Sequence, residues 1–362
     1  MRLLQQPSLN QKKILVLDQA PKTKNDRTWC FWEKQNGMFE PIIHHRWQEI
    51  NFLSNQHAAQ LNIAPYTYKM LHGIKFYNYV INYAKQFANV EFRYEKVIAV
   101  DTKASKATVV LANETLTADY VFNSIIFRQP QISKGKFYLL QHFKGWVIET
   151  KTPSFNPNVA TFMDFTVSQQ HGTTFMYVLP TSTTEALVEY TLFTNELLQQ
   201  SDYENALKLY IADNLKITDY TIKHEEFGII PMTNISFAKH KGKVINIGIA
   251  GGQAKGSSGY AFQFIQKRTE QIVNSLVKYN HPFTAKTLAA KKFHLYDSVL
   301  LHVLHHKKLP GDTIFANIFK KNTPKTIFKF LDNESNLLED LQIMISLPTS
   351  VFLKAAMQEL FK

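Results

Sequence analysis

Two acidic residues stand inside runs that otherwise read as apolar strands. Asp164 lies in "FMDF" (162–165) and Glu189 in "LVEYT" (187–191). If those strands are buried, both are candidate partly buried carboxylates. Burial disfavours the charged form and leaves a proton donor available near neutral pH. If the strands alternate between core and water, both acids face solvent, and periodicity does not decide between the two readings. A second chemistry is offered by "GIAGGQAKGSSGY" (248–260), where Gly248, Gly251, Gly252, Gly256 and Gly259 supply five of the chain's 13 glycines. Such a turn lets backbone approach a ligand closely, and the amides of a following helix favour anionic groups. A third candidate is Asp18, which closes the strand "ILVLD" (14–18). An acid at the end of the second strand of a dinucleotide-binding unit is placed for an adenosine ribose hydroxyl. The matching glycine loop belongs about 20 residues earlier, a count that passes Met1.

Other reactive residue types carry blander readings. Trp29, Phe31, Trp32, Trp146, Met163, Phe175, Met176 and Tyr177 form a core by default. Their sharper reading is an apolar cavity whose ring faces stabilise a cation. His302 and His305 fall three apart on an expected helix with no companion acid at ligand spacing, so no metal site is expected. Cys30 is the one cysteine. It excludes an internal disulfide framework, fits a reducing compartment and reads as a buried structural thiol.

These residues need elements to hold them. The opening strand is followed by an aromatic stretch and then by "PYTYKMLHGIKFYNYVINYAKQF" (65–87), whose apolar spacing predicts a helix. Short alternating runs from 90 to 125 predict a small antiparallel meander ending in a strand at Tyr120–Phe122. From 137 to 237 the pattern is one antiparallel sheet interrupted by a helix near 196–214. Strand, glycine turn and helix follow at 243–276, and 280–362 is helical with breaks at Pro282, Pro310, Pro324 and Pro348. No secretory leader and no run of ~18 apolar residues is seen, so no transmembrane helix is expected. The formal charge of +12 comes from lysines scattered along the chain. It reads first as a solvated basic surface, next as attraction to an anionic membrane, and last as nucleic-acid binding, for which no motif is present.

The stretches "NDRTWCFWE" (25–33), "FMDF", "TFMYVLPTSTTEALVEYTLF" (174–193) and "IGIAGGQAKGSSGYAFQFIQ" (247–266) closely resemble bacterial lycopene beta-cyclases. "QHFKGW" (141–146) and "FKFLDNESNLLEDLQIMISLP" (328–348) are similar too. The resemblance implies an α/β, aromatic-hydroxylase-like flavoprotein fold. A Rossmann-type FAD-binding domain would interleave with an antiparallel-sheet substrate domain and a helical C-terminus. Under that reading 1–65 and 95–136 are FAD-side segments, 66–94 is a helical substrate-side segment and 137–240 is the substrate sheet. Residues 241–280 would be the FAD-binding turn and helix, and 281–362 the C-terminal helices.

The implied activity is an isomerisation, counted as an intramolecular lyase reaction: proton-initiated closure of the ψ ends of lycopene to β-rings, through γ-carotene to β-carotene. Reduced FAD is implied as cofactor, with NAD(P)H as its reductant and no net redox change. The implied setting is the cytoplasmic, inner face of the cell membrane, with acyclic carotenes drawn from the bilayer. Carried over by motif, Glu189 is the acid/base and Asp164 lines the site or tunes it. Gly248, Gly251, Gly252, Gly256 and Gly259 sit against the flavin, and Asp18 accepts from the ribose. Two alternatives are a related FAD monooxygenase acting on an apolar substrate and a non-catalytic carotenoid- or lipid-binding protein.

Two departures stand out. Gly256 replaces a proline of the family, which should loosen the turn. The family's first strand and G-x-G-x-x-G loop are expected before Leu3 and do not occur in these residues, so Met1 is expected to be an internal methionine of a longer protein. A chain beginning at Met1 is expected to expose an apolar edge at Ile14–Leu17 and to bind FAD weakly.

Overall fold

The computed structural model describes residues 1–285 and 287–361. The first strands are β1 (Ile14–Asp18), β2 (Thr28–Glu33), β3 (His45–Trp47), β4 (Glu49–Leu53), β5 (Ala58–Asn62) and β6 (Thr67–His72). Helix α1 (Gly73–Ala84) leads to β7 (Val90–Tyr94), β8 (Ala99–Lys103), β9 (Lys106–Val110), β10 (Thr115–Ala118) and β11 (Val121–Asn123). Four long strands come next: β12 (Tyr138–Thr150), β13 (Val159–Asp164), β14 (Thr173–Pro180) and β15 (Glu185–Thr194). Helix α2 (Gln200–Asp213) precedes β16 (Tyr220–Thr233), β17 (His240–Lys241) and β18 (Val244–Asn246). The chain closes with α3 (Phe262–Tyr279), α4 (Leu288–His305), α5 (Gly311–Lys321), α6 (Pro324–Leu331), α7 (Leu337–Ser346) and α8 (Thr349–Leu360).

A seven-stranded sheet in the order β16-β12-β15-β14-β13-β4-β5 is the centre of the molecule. Its pairs are antiparallel except β13 with β4. Both faces are covered. On one, Val188, Tyr190 and Leu192 of β15 pack under Tyr203, Leu207 and Tyr210 of α2. On the other, Leu187 and Phe193 join Trp32, Phe162, Tyr177 and Phe328 in the larger core, which draws in the C-terminal helices. A strand buried on both sides reads as a near-continuous apolar run, which is why the alternation around Glu189 is uninformative.

The three-stranded sheet β2-β6-β3 lies over that second core. Strand β2 alternates across it. Phe31 stacks on Phe262 of α3 at 4.1 Å, while Trp32 meets Tyr260 edge-on at 4.7 Å. The α/β character resides in two parallel pairs, β1 with β7 and β11 with β18. The second edge of β1 carries no strand among the described residues, and Leu15 and Val16 are exposed there.

Two expectations change. The helix expected over 65–87 exists only from Gly73 to Ala84, because Thr67–His72 is the middle strand of the small sheet. Over so short a run helical and alternating spacings coincide, and pairing on both sides decides for the strand. The helix begins where the Gly73 amide donates to the Arg27 carbonyl at 2.8 Å. The meander holds for β8–β10, but its flanking runs leave it to form the two parallel pairs.

Candidate active site

Strand β12 is paired on both sides, and its register places Gly145 opposite Glu189 of β15 and opposite Glu226 of β16. Side chains at directly paired positions point to the same face. Backbones two strands apart are separated by about 10 Å, so a side chain at 145 would stand between the two acids. A Cβ there would lie 3.2 Å from Glu226 Cγ and 3.5 Å from Glu189 Cβ. Glycine leaves that space empty, so the two carboxyl groups share one pocket and each acts on the other's charge. Like charges placed this close oppose each other, which favours a proton on one of the two.

The environments of the two acids divide the proton. Burial, followed by the charge of Glu226, pushes the Glu189 carboxyl up to about 8. One hydroxyl, Thr191 Oγ1, donates to Glu189 Oε1 at 2.8 Å and acts the other way. Burial also raises Glu226. Its charged form is favoured by Thr28 Oγ1 of β2, which donates to Glu226 Oε2 at 2.8 Å, and by His224 nearby. Glu189 is therefore the protonated member near neutral pH. It is also half-buried while Glu226 is buried, so Glu189 keeps surface open to an incoming molecule.

The walls are aromatic. Tyr177 stands opposite Glu189 on β14, and its hydroxyl lies 3.2 Å from that of Tyr260. Trp32, Phe162, Tyr68 and Phe328 continue the wall with edge-on contacts of 4.8–6.1 Å between ring centres. Ring faces in a dry pocket stabilise a cation without quenching it as water would. Cys30 faces this site rather than a purely structural core: it is half-buried and feels both carboxyls, and burial holds its thiol well above its ordinary pKa.

The glycine turn closes the same end of the sheet. Gly248, Gly252 and Gly259 take left-handed φ of +61°, +67° and +70°. A Cβ on Gly259 would overlap Gln141 Oε1, one on Gly256 would lie 2.6 Å from the Thr233 carbonyl, and one on Gly251 2.5 Å from that of Asn246. The loosening expected of Gly256 is countered by its neighbour Lys255, whose buried ammonium bonds Asp297 of α4 at 2.8 Å and Asn333 at 2.6 Å. Three buried polar atoms around the turn have no partner within the protein: Gln141 Oε1, Gln253 Nε2 and Ser258 Oγ. Helix α3 starts just beyond with no side-chain cap. Unpaired donors and acceptors facing a backbone cradle fit a polar heteroaromatic ring, the chemistry of the FAD that the resemblance implies.

Other expected site residues lie elsewhere. Asp164, expected beside Glu189, points to the opposite face of the sheet, where Tyr210 of α2 donates to it. Its register partner is Met176, next to Tyr177, and period two sends the neighbours to opposite faces. Asp18 closes β1, where it pairs with Lys22 at 3.0 Å. His302 bonds Glu359 at 2.6 Å, and among the described residues no group of three His, Cys, Asp or Glu could hold a metal. Glu226 is not among the residues the sequence singles out, because nothing local to "HEEF" (224–227) marks it. The signal that could have found it is glycine inside neighbouring strands, Gly145 and Gly228, which marks close approach.

Comparison with known proteins bears on the family and the fold. A sequence model of the family described as lycopene cyclase protein matches residues 3–357. A lycopene beta-cyclase of Pantoea ananas is 24% identical over 235 residues, 63% of this chain and 57% of that protein, so the chain spans less than two thirds of that relative. Among solved structures, a flavoprotein/dehydrogenase from Cytophaga hutchinsonii has a TM-score of 0.61 at 11% identity, covering 99% of this chain and 96% of that one. A Klebsiella pneumoniae protein solved with FAD and uric acid has a TM-score of 0.57 at 12% identity, covering 93% and 98%. The fold is thus the α/β flavoprotein architecture expected from the sequence.

Proposed function

The chain belongs to the lycopene cyclase family, and from that premise we propose that it closes the ψ ends of lycopene to β-rings, with Glu189 as proton donor. The observation that carries the reading is the Glu189 carboxyl, half-buried among aromatic rings and facing Glu226 across Gly145, where burial pushes it up to about 8. The Glu189 proton adds to C2 of the terminal C1=C2 double bond, leaving a tertiary cation at C1. The C5=C6 double bond supplies the electron pair for a new C1–C6 bond, and the charge moves to C5. Loss of the C6 proton forms the ring C5=C6 double bond and returns a proton to the site. Atoms and electrons balance with no oxidant or reductant.

Gln141, Gln253, Ser258 and the Gly248–Gly259 backbone would hold FAD, with Asp18 offered to its ribose. Reduced FAD, kept so by NAD(P)H, would supply an electron-rich ring beside the developing cation. Tyr177, Tyr260 and Trp32 would exclude water, and a ring presenting its face would stabilise that charge.

Delivery of so apolar a substrate favours a membrane surface. No described helix is long and apolar enough to cross a membrane. Helix α7 instead presents Leu337, Leu338, Leu341 and Ile345 to solvent, and α8 adds Leu353 and Leu360. The two acids of the first turn of α7 are neutralised by Lys329 and Lys292. This face would rest on an anionic cytoplasmic leaflet. Co-sedimentation with phosphatidylglycerol vesicles is expected and should weaken on Leu338→Gln with Ile345→Gln; unchanged binding would remove the face from the account.

The function is tested by carotenoid chromatography of lycopene-accumulating bacterial cells expressing this chain. New β-ring products that vanish with Glu189→Gln support it. Unchanged lycopene with the unaltered, folded and flavin-loaded chain contradicts it.

A further inference from the structure

Glu226 lies outside every motif that carries the family resemblance, yet three strands converge to place it. Strand β12 contributes the gap at Gly145, β15 contributes Glu189, and β2 contributes Thr28, whose hydroxyl is fixed on Glu226 Oε2 at 2.8 Å. A glutamate at 8% exposure without a cation bonded to its carboxylate is a costly element to retain in a core. The nearest lysine on β12, Lys144, points the other way and is occupied by Glu204 and Glu225.

We propose that Glu226 is a positioning residue for the reaction proposed above, holding one proton jointly with Glu189 so that the pair acts first as acid and then as base. At rest the pair carries one proton and one negative charge. When the Glu189 O–H bond breaks and the C2–H bond of the carotene forms, both carboxylates are ionised and face a single positive charge. Two anions then stabilise the cation as it moves from C1 to C5. When the C6–H bond breaks, its electron pair becomes the ring double bond and its proton restores the shared state. Thr28 keeps the resting charge on Glu226, which leaves the proton on Glu189, the member with open surface. A lone buried acid would have to give up its proton without a second anion to offset the new cation.

The groups that face the pair are few. Thr28 and Cys30 come from β2, Tyr68 from β6, Tyr177 from β14, Tyr260 from the glycine turn and His224 from the same strand as Glu226. Burial keeps the three tyrosines and the cysteine protonated, and His224 is a basic side chain beside the two acids.

The inference rests on the proposed activity, but its test does not require turnover. The carboxylic-acid carbonyl band is followed by infrared spectroscopy against pH in the full chain, unaltered and as Glu189→Gln, Glu226→Gln and Thr28→Val. Glu189→Gln assigns the band. Glu226→Gln removes the neighbouring charge and should move its midpoint to lower pH by about one unit or more. Thr28→Val removes the donor to Glu226 and should move it to higher pH. In carotene-loaded vesicles the alkaline limb of cyclisation should move in the same two directions, which a merely structural role would not produce. An unmoved midpoint in both variants overturns the proposal. If Glu226→Gln does not fold, Thr28→Val decides alone, an upward shift supporting the pair and an unmoved midpoint overturning it. Shifted midpoints in a chain that cyclises nothing would uphold the pair and sink the proposed function.

Discussion

Asp164 and Glu189 are carried on opposite faces of the same seven-stranded sheet, the first buried and the second half-buried. Asp164 is met by three donors: the Thr166 amide at 2.8 Å, the Thr166 hydroxyl at 2.6 Å and the Tyr210 hydroxyl at 2.6 Å. Glu189 is met by one hydroxyl and by a second acid. Donors around a carboxyl stabilise its charge, and a like-charged neighbour opposes it. The first arrangement anchors β13 to α2; the second stores a proton. Burial alone therefore does not make an acid catalyst, and the company of the carboxyl decides.

The largest effect that would break this comparison is on chemistry. Glu189→Gln keeps the shape but removes the donor, and cyclisation is expected to fall by about 10²–10⁴-fold or below detection, with flavin binding retained. Carotenoid chromatography beside a flavin absorption spectrum measures both.

The next test is pH. In the proposed role Glu189 donates while neutral, so turnover should fall about tenfold per unit above about pH 8. Its folded pKa lies above its ordinary value of 4.5, so between 4.5 and 8 the folded chain binds the extra proton. Stability should consequently decline as pH rises through that window, read as a falling denaturation midpoint. A midpoint that rose over the same range would contradict the buried neutral acid.

Gly145→Ala sharpens the comparison without replacing either acid. Its Cβ would press on Leu187 Cδ1 at 3.0 Å and Glu226 Cγ at 3.2 Å. Overpacking of this kind costs about 1–3 kcal/mol, and it should part the carboxyls and lower the pH at which activity is lost. On the other face, Asp164→Asn should cost about 1–3 kcal/mol of stability and leave turnover per folded molecule unchanged.

The motifs for Glu189 and the glycine turn were legible in the sequence because each is local, an acid within one apolar run and five glycines within one short turn. The long strands and the C-terminal helices were legible for the same reason. Glu226 was not, because its role depends on the register of β12 against two strands that helix α2 separates along the chain. Asp164 was misplaced because a strand covered on both sides gives no solvent face to calibrate its alternation. Thr67–His72 was read as helix because its partners β2 and β3 are distant in the chain.

The most direct test of the central claim compares the two faces in one experiment. Purified unaltered chain, Glu189→Gln and Asp164→Asn would each be supplied with FAD, reductant and lycopene in vesicles, with products resolved by chromatography and normalised to folded protein. The account predicts β-ring products from the unaltered chain and from Asp164→Asn, and none from Glu189→Gln. Products from Glu189→Gln, or an equal loss in Asp164→Asn, would contradict it.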